Sequence, residues 1–170
     1  MISIVSFAFT FCTVFETACL IQAMLHHWIG HGTLLAWIGQ IHIGSHHAFY
    51  TPRNYESRGY NVHEEGLGYT YLPIAIAAAV IAYFLLPGLL AVAVCLALVS
   101  VFWAHEYVHK QYHISGSWML RYAWFRKKKE IHRIHHVNAG KNFGVLTTLW
   151  DRLSGTYVRP LEPQGKSAAA

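Results

Sequence analysis

From Ile2 to Leu25 the chain carries neither Lys nor Arg, and Glu16 and Gln22 are its only strongly polar interruptions. A helix rises about 1.5 Å per residue and a bilayer's hydrocarbon core is about 30 Å thick, so this run is long enough to cross one. It is too long for a secretory h-region and lacks the basic start and small-residue cleavage site of a removed signal. A second apolar run, Tyr69 to Leu86, is followed by Pro87 and Gly88 and then by a third, Leu89 to Ala104. Proline and glycine punctuate helices, so these two runs read as a helical hairpin that turns across the membrane. The shorter piece Thr33 to Gly44 reads as a re-entrant or interfacial segment. The pattern predicts an all-α integral membrane bundle with three or four spans. Composition points the same way: 54% of residues are hydrophobic and 12% charged, where soluble domains carry about 25% charged residues. At 170 residues the chain fits one domain, taken as residues 1–160, with 161–170 read as a disordered tail.

Arg53, Arg58, Lys110, Arg121 and the run Arg126 to Lys129 flank the same helix ends, whereas the N-terminus and the Pro87 turn carry no basic residue. By the positive-inside rule the loop from His26 to Gly68 and everything after His105 face the cytoplasm, with the N-terminus outside. The net charge of +5 suits anionic headgroups, and nucleic-acid binding is disfavoured without a soluble basic domain. Cys12, Cys19 and Cys95 sit in apolar runs with no CxxC pair, which excludes a disulfide framework, a zinc ribbon and an iron–sulfur cluster.

The functional signal is histidine: 13 His against 8 acidic residues. They fall into four sets, His26, His27 and His31; His42, His46 and His47; His105, His109 and His113; and His132, His135 and His136, with His63 apart. A helical step of three or four residues returns to nearly the same face, so His109 and His113 can aim one way, as can His132, His135 and His136. Taken singly, His27, His63 or His105 reads as a hydrogen-bonded interfacial side chain. So many imidazoles at one end of a bundle need partners, and a metal cation supplies them. A catalytic zinc takes three protein ligands, so this number points to two adjacent metals. Carboxylate-rich bundles use paired Glu-x-x-His units, and here Glu106 to His109 is the lone match.

The spacing His26-x4-His31, His46-His47, His109-x3-His113 and His132-x2-His135-His136 is followed by Asn142-Phe143-Gly144 and by Trp150-Asp151-Arg152-Leu153-Ser154-Gly155-Thr156-Tyr157. This pattern, from His26 to Pro160, resembles the fatty acid hydroxylase and sterol desaturase superfamily. The resemblance implies an integral membrane oxygenase with a cytosolic histidine cap over two iron ions, for which zinc can substitute in purified protein. It implies metal ligands at His26, His31, His46, His47, His109, His113, His132, His135 and His136. It adds His42, in a box one residue longer than the family's His-x2-His-His. O2 would be the co-substrate, and a lipid such as a fatty acyl chain or a sterol would be hydroxylated or desaturated, with no catalytic side chain beyond the ligands. The sequence has no Gly-x-Gly-x-x-Gly, no Cys-x-x-Cys-His and no fused redox domain, so electrons would come from a separate ferredoxin- or cytochrome b5-like donor. Carotenoid ring hydroxylases share the short length and the His-x4-His box, and stay as an alternative. The Trp-Asp-Arg coda reads as structural, with Gly155 at a turn and Asp151 paired to an arginine.

Two other classes compete. His105-Glu106-Tyr107-Val108-His109 spells the zinc metalloprotease motif, with Glu106 as general base, but it leaves His46 and His132 to His136 without a role. A metal carrier would need ligands inside the spans, where Glu16, Cys19 and Gln22 are few. Glu16 itself is either an intramembrane functional carboxylate or a group hydrogen-bonded by Thr13 or a neighbouring helix.

Overall fold

In the computed structural model, residues 3–59 and 68–160 are described. His63 and the tail 161–170 lie outside them. Helix α1 (Ile4–Leu25) starts at Ser3, whose hydroxyl oxygen accepts the Ser6 amide at 3.2 Å, a serine N-cap. A π turn (His26–Gly30) follows, then α2 (Ala36–His42) and a second π turn (Ile43–His47). A 3₁₀ turn (Gly68–Tyr71) leads into α3 (Leu72–Leu85). Leu86 is extended, as a residue before proline prefers, and the chain re-enters α4 (Gly88–Tyr112) at once. Helices α5 (Ala123–Val137) and α6 (Leu149–Ser154) complete the chain. The described residues contain no strand, only an isolated bridge between Ser57 and Ile114.

Two helices are long and apolar enough to cross a membrane, Ile4–Gly30 and Gly88–Tyr112. The apolar helix Tyr69–Leu85 is shorter. The described residues thus hold two helices of spanning length, where the sequence reading has three or four spans.

Helices α1 and α3 both pack on α4. The seam is made largely of small side chains, Ala18 and Cys19 from α1 and Ala75 and Ala82 from α3, with Val94, Leu98 and Val101 from α4. Large apolar side chains point outward instead, among them Phe9, Ile76, Phe84, Val99 and Trp103. Small residues inside and bulky ones outside is the arrangement of helices in lipid, where close backbone approach drives association. Glu16 lies on the exposed face of α1, and the Thr13 carbonyl there accepts the Thr17 hydroxyl at 2.8 Å.

The C-terminal ends of α1 and α4 meet at one end of this bundle, where α2, α5 and α6 build a cap. Helix α5 turns Phe125, Ile131, His132, His135 and His136 inward and leaves Trp124, Arg126 and Lys127 outside. Gly39 brings α2 against the first π turn, since a Cβ there would stand 2.7 Å from the Ile29 carbonyl oxygen. That close approach carries His42 to His26.

Candidate metal centre

The cap gathers histidines into two groups whose nitrogens lie within 4.8 Å of one another: His26, His31, His42, His47 and His135 in the first, and His46, His113, His132 and His136 in the second. Helix geometry explains the division. Adjacent residues on a helix are about 100° apart and cannot face one point. Accordingly His46 and His47 go to different groups, as do His135 and His136, while His132 and His136, four apart, share one. His26 with His31 and His42 with His47 are five apart, a step that an α-helix sends to another face. Each pair is spanned by a π turn, whose wider coil returns residue i+5 over residue i. The extra residue between His42 and His46 is absorbed in the same way, so His42 joins the first group despite the longer box.

Hydrogen bonds fix the protonation of these rings. His26 donates from Nδ1 to the Phe143 carbonyl at 2.7 Å, His135 to Lys141 at 2.7 Å, His136 to Tyr50 at 2.7 Å and His113 to Tyr55 at 3.0 Å. A carbonyl only accepts and a neutral imidazole has one N–H, so Nε2 of each of these four rings is a bare lone pair. Those lone pairs converge. Nε2 of His132 lies 3.2 Å from that of His113 and 3.3 Å from that of His136, and the Nε2 atoms of His26 and His42 are 3.2 Å apart. Nε2 of His31, His47 and His135 and both nitrogens of His46 are buried with no hydrogen-bond partner. One N–H on His132 can satisfy only one neighbour. Bare nitrogens facing each other in a buried space repel unless a cation sits between them, so the donor set fits metal ions. It is all imidazole, which suits iron, zinc, copper or nickel.

Burial keeps the rings uncharged. It holds His31 down at about 3, with His47 and His27 adding to the effect. It holds His47 at about 4 and His113 at about 3. His132, His135 and His136 are pushed in the same direction, by burial first and by neighbouring imidazoles after it. Neutral imidazole is the form that ligates.

The remaining histidines take other places. His109 belongs to neither group. It stands beside the second, with Nε2 3.0 Å from that of His132. His27 accepts the Trp150 indole N–H at 3.2 Å and stacks on Phe143 at 4.1 Å. His105 turns Nδ1 to the Glu106 carboxylate at 3.3 Å, so His105, Glu106 and His109 assemble no zinc site among the described residues.

The coda is a clamp, and here the expected arginine partner of Asp151 is corrected. Its fully buried carboxylate accepts the Phe143 amide at 2.7 Å, the Gly144 amide at 2.9 Å and the Thr156 hydroxyl at 2.9 Å. Backbone and hydroxyl donors thus satisfy the charge in place of a guanidinium. The loop so held presents the Phe143 carbonyl to His26. Asn142, at φ 55°, bonds through its side chain to Ile131 and Val158 and ties the loop to α5. Gly155 closes α6 at φ 72°. The orienting carbonyls of Tyr50 and Tyr55 had no signal in the sequence, because main-chain acceptors are independent of residue type.

A helical bundle with two helices long and apolar enough to cross a membrane is capped by two histidine groups that could each hold a metal ion. The family model for fatty acid hydroxylase matches residues 9–156. The chain belongs to this family. It is also similar to the Delta(7)-sterol 5(6)-desaturases of Candida glabrata and Saccharomyces cerevisiae, each 55% identical over 29 residues. These matches cover 17% of this chain and 8% of each desaturase. No solved structure matches.

Proposed function

We propose that the chain is a membrane-bound, O2-dependent oxygenase that hydroxylates or desaturates a C–H bond of a fatty acyl chain or sterol, at two iron ions held by the histidine groups. The observation that carries this reading is the convergence of bare Nε2 atoms in two groups, a buried all-imidazole donor set in a chain of the fatty acid hydroxylase family. Iron bound there supplies the redox chemistry with O2 that side chains lack. His26, His31, His42, His47 and His135 hold one ion and His46, His113, His132 and His136 the other, with His109 beside the second.

The chain's own contribution is orientation and dryness. The carbonyls of Phe143, Lys141, Tyr50 and Tyr55 fix four rings with Nε2 aimed inward, so little reorganisation accompanies metal binding. Phe143 and Tyr50 press on the rings from outside, at 5.8 Å from His26 and 4.0 Å from His113, and exclude water. A cavity of about 490 Å³ lined by His27, Trp28, His31, Ile43 and Phe143 gives a way to the first group. Residues 1–160 act as one domain, with the N-terminus outside and the cap in the cytoplasm beside the basic residues of α5, and a separate ferredoxin- or cytochrome b5-like protein delivers electrons. Mass spectrometry of lipids from a host making wild type or His135→Ala tests this. The expected result is an acyl chain or sterol with an added oxygen or two fewer hydrogens in the wild type alone. Identical lipid profiles would reject it, and an oxygenated ring carotenoid would move the substrate to that class.

A further inference from the structure

Of the described lysines, arginines and acids, only Asp151 and Lys129 are buried. Asp151 holds the loop that orients the first histidine group. Lys129 is a member of neither group. It ends the basic run Arg126 to Lys129, yet α5 turns it inward together with Phe125, His132 and His136. Steps of three, four and seven residues return to one face of a helix, so Lys129 shares the face that supplies two members of the second group.

Its ammonium donates to the Ile114 carbonyl at 2.9 Å and pairs with Glu56 Oε1 at 3.2 Å. Ile114 lies just past the end of α4, so the cation stands at the negative end of a 25-residue helix. The main-chain carbonyl of the same lysine accepts the Tyr55 hydroxyl at 3.3 Å. Lys129 thus joins three pieces of chain: α5, the end of α4, and the loop 51–59, which forms neither helix nor strand. His113 lies inside this junction. Its Nδ1 donates to the Tyr55 carbonyl at 3.0 Å, and its own carbonyl accepts the Ser57 amide at 2.9 Å. The Tyr55 ring rests against His113 at 4.7 Å and against His136 at 5.2 Å. Tyr55 and Glu56 are adjacent in the chain, so holding the second sets the carbonyl of the first.

We propose that Lys129 is a positioning residue for the second histidine group: by latching Glu56 to Ile114 it holds the Tyr55 carbonyl against Nδ1 of His113, which keeps Nε2 of that ring bare and aimed at its neighbours. The ion pair as such contributes little, because Glu56 is 40% exposed and solvent screens it. Its placement is what counts. The bridge between Ser57 and Ile114 ties the loop to the end of α4 alone, whereas Lys129 brings α5, with His132 and His136, into the same frame. Each group then has its own clamp, a buried anion for the first and a buried cation for the second, so either can be loosened separately. The inference rests on the two-group metal centre, but not on iron, O2 or a lipid.

The test is zinc binding to chelator-treated full-length protein in detergent micelles, read by competition with a chromophoric chelator, with thermal melting alongside. In a His135→Ala background, which keeps the second group whole, Lys129→Met weakens zinc binding about tenfold, the low end of what groups that orient a ligand achieve. Lys129→Arg, which keeps the cation and its donors, recovers part of that loss. In a His132→Ala background, which keeps the first group whole, Lys129→Met leaves zinc affinity unchanged. Glu56→Ala, a change at an exposed position, weakens the second site in the same way and decides the matter where Lys129→Met fails to fold. Equal weakening of both sites in step with the melting temperature would make Lys129 a general support and overturn the inference. Wild-type protein that binds two zinc ions, with Lys129→Met and Glu56→Ala matching it, overturns the inference and leaves the centre standing. Folded wild type that takes up no zinc overturns the centre, and the inference with it.

Discussion

His136 donates its Nδ1–H to the Tyr50 carbonyl at 2.7 Å, and this one bond leaves its Nε2 bare and 3.3 Å from Nε2 of His132. A residue 86 positions away in sequence thereby decides which nitrogen faces the cap's interior. The same device recurs at His26, His113 and His135, so the donor set is oriented by main chain before any cation arrives.

Asp151 should behave as a structural keystone. Asp151→Ala leaves the Phe143 and Gly144 amides buried without an acceptor, at about 1–3 kcal/mol each. Thermal melting in detergent should show a loss of about 3 kcal/mol or more. Arg152 instead stacks over Tyr157 at 4.4 Å, and Arg152→Ala should change the melt little. Equal losses in the two variants would restore the arginine pairing that the coordinates replace.

His26 and His27 are neighbours with different work. His26→Ala should lose an ion from the first group and leave the Phe143 carbonyl unpaired. His27→Ala gives up a 3.2 Å bond from Trp150 and a stacked ring, a stability effect of about 1 kcal/mol. Its metal content should match the wild type. Elemental analysis of the two purified variants checks this, and a His27→Ala protein short of metal would place that ring among the ligands.

Acid should unfold the metal-free protein in a defined window. The folded state holds His31 and His113 at about 3 and His47 at about 4, against an ordinary value of 6.5. Between those limits the unfolded chain binds more protons than the folded one, so stability falls as pH drops from 6.5 toward 4 and is flat with respect to these groups above 7. Protons also compete with metal for the same nitrogens, so metal affinity declines in the same direction. Melting of chelator-treated protein across pH 4 to 8 reads this out, and a melting temperature that rises on acidification would contradict it.

Much of the centre was legible because it follows helical periodicity. His132, His135 and His136 sit on one α-helix, and their spacing alone places them near one another. His42 belongs to the ligand set expected from the sequence, and the structure adds how its box, a residue too long for an α-helix, fits through the π turn Ile43–His47. His109 and His113 share the spacing of an aligned pair, and both reach the second group, His113 as a member and His109 with Nε2 3.0 Å from that of His132. Asp151 announced a buried acid but not its partners, since backbone amides leave no trace in side-chain identity. The apolar runs gave the helices directly, and the Pro87-Gly88 hairpin falls where the sequence puts it.

Metal counting on well-folded wild-type protein tests the central claim most directly. Two pairs of adjacent residues, His46 with His47 and His135 with His136, divide between the groups, so purified protein should carry close to two ions per chain. His135→Ala and His136→Ala should each lose at least one. Wild-type protein that melts cooperatively and holds no metal, even after anaerobic loading with ferrous iron, would contradict the account.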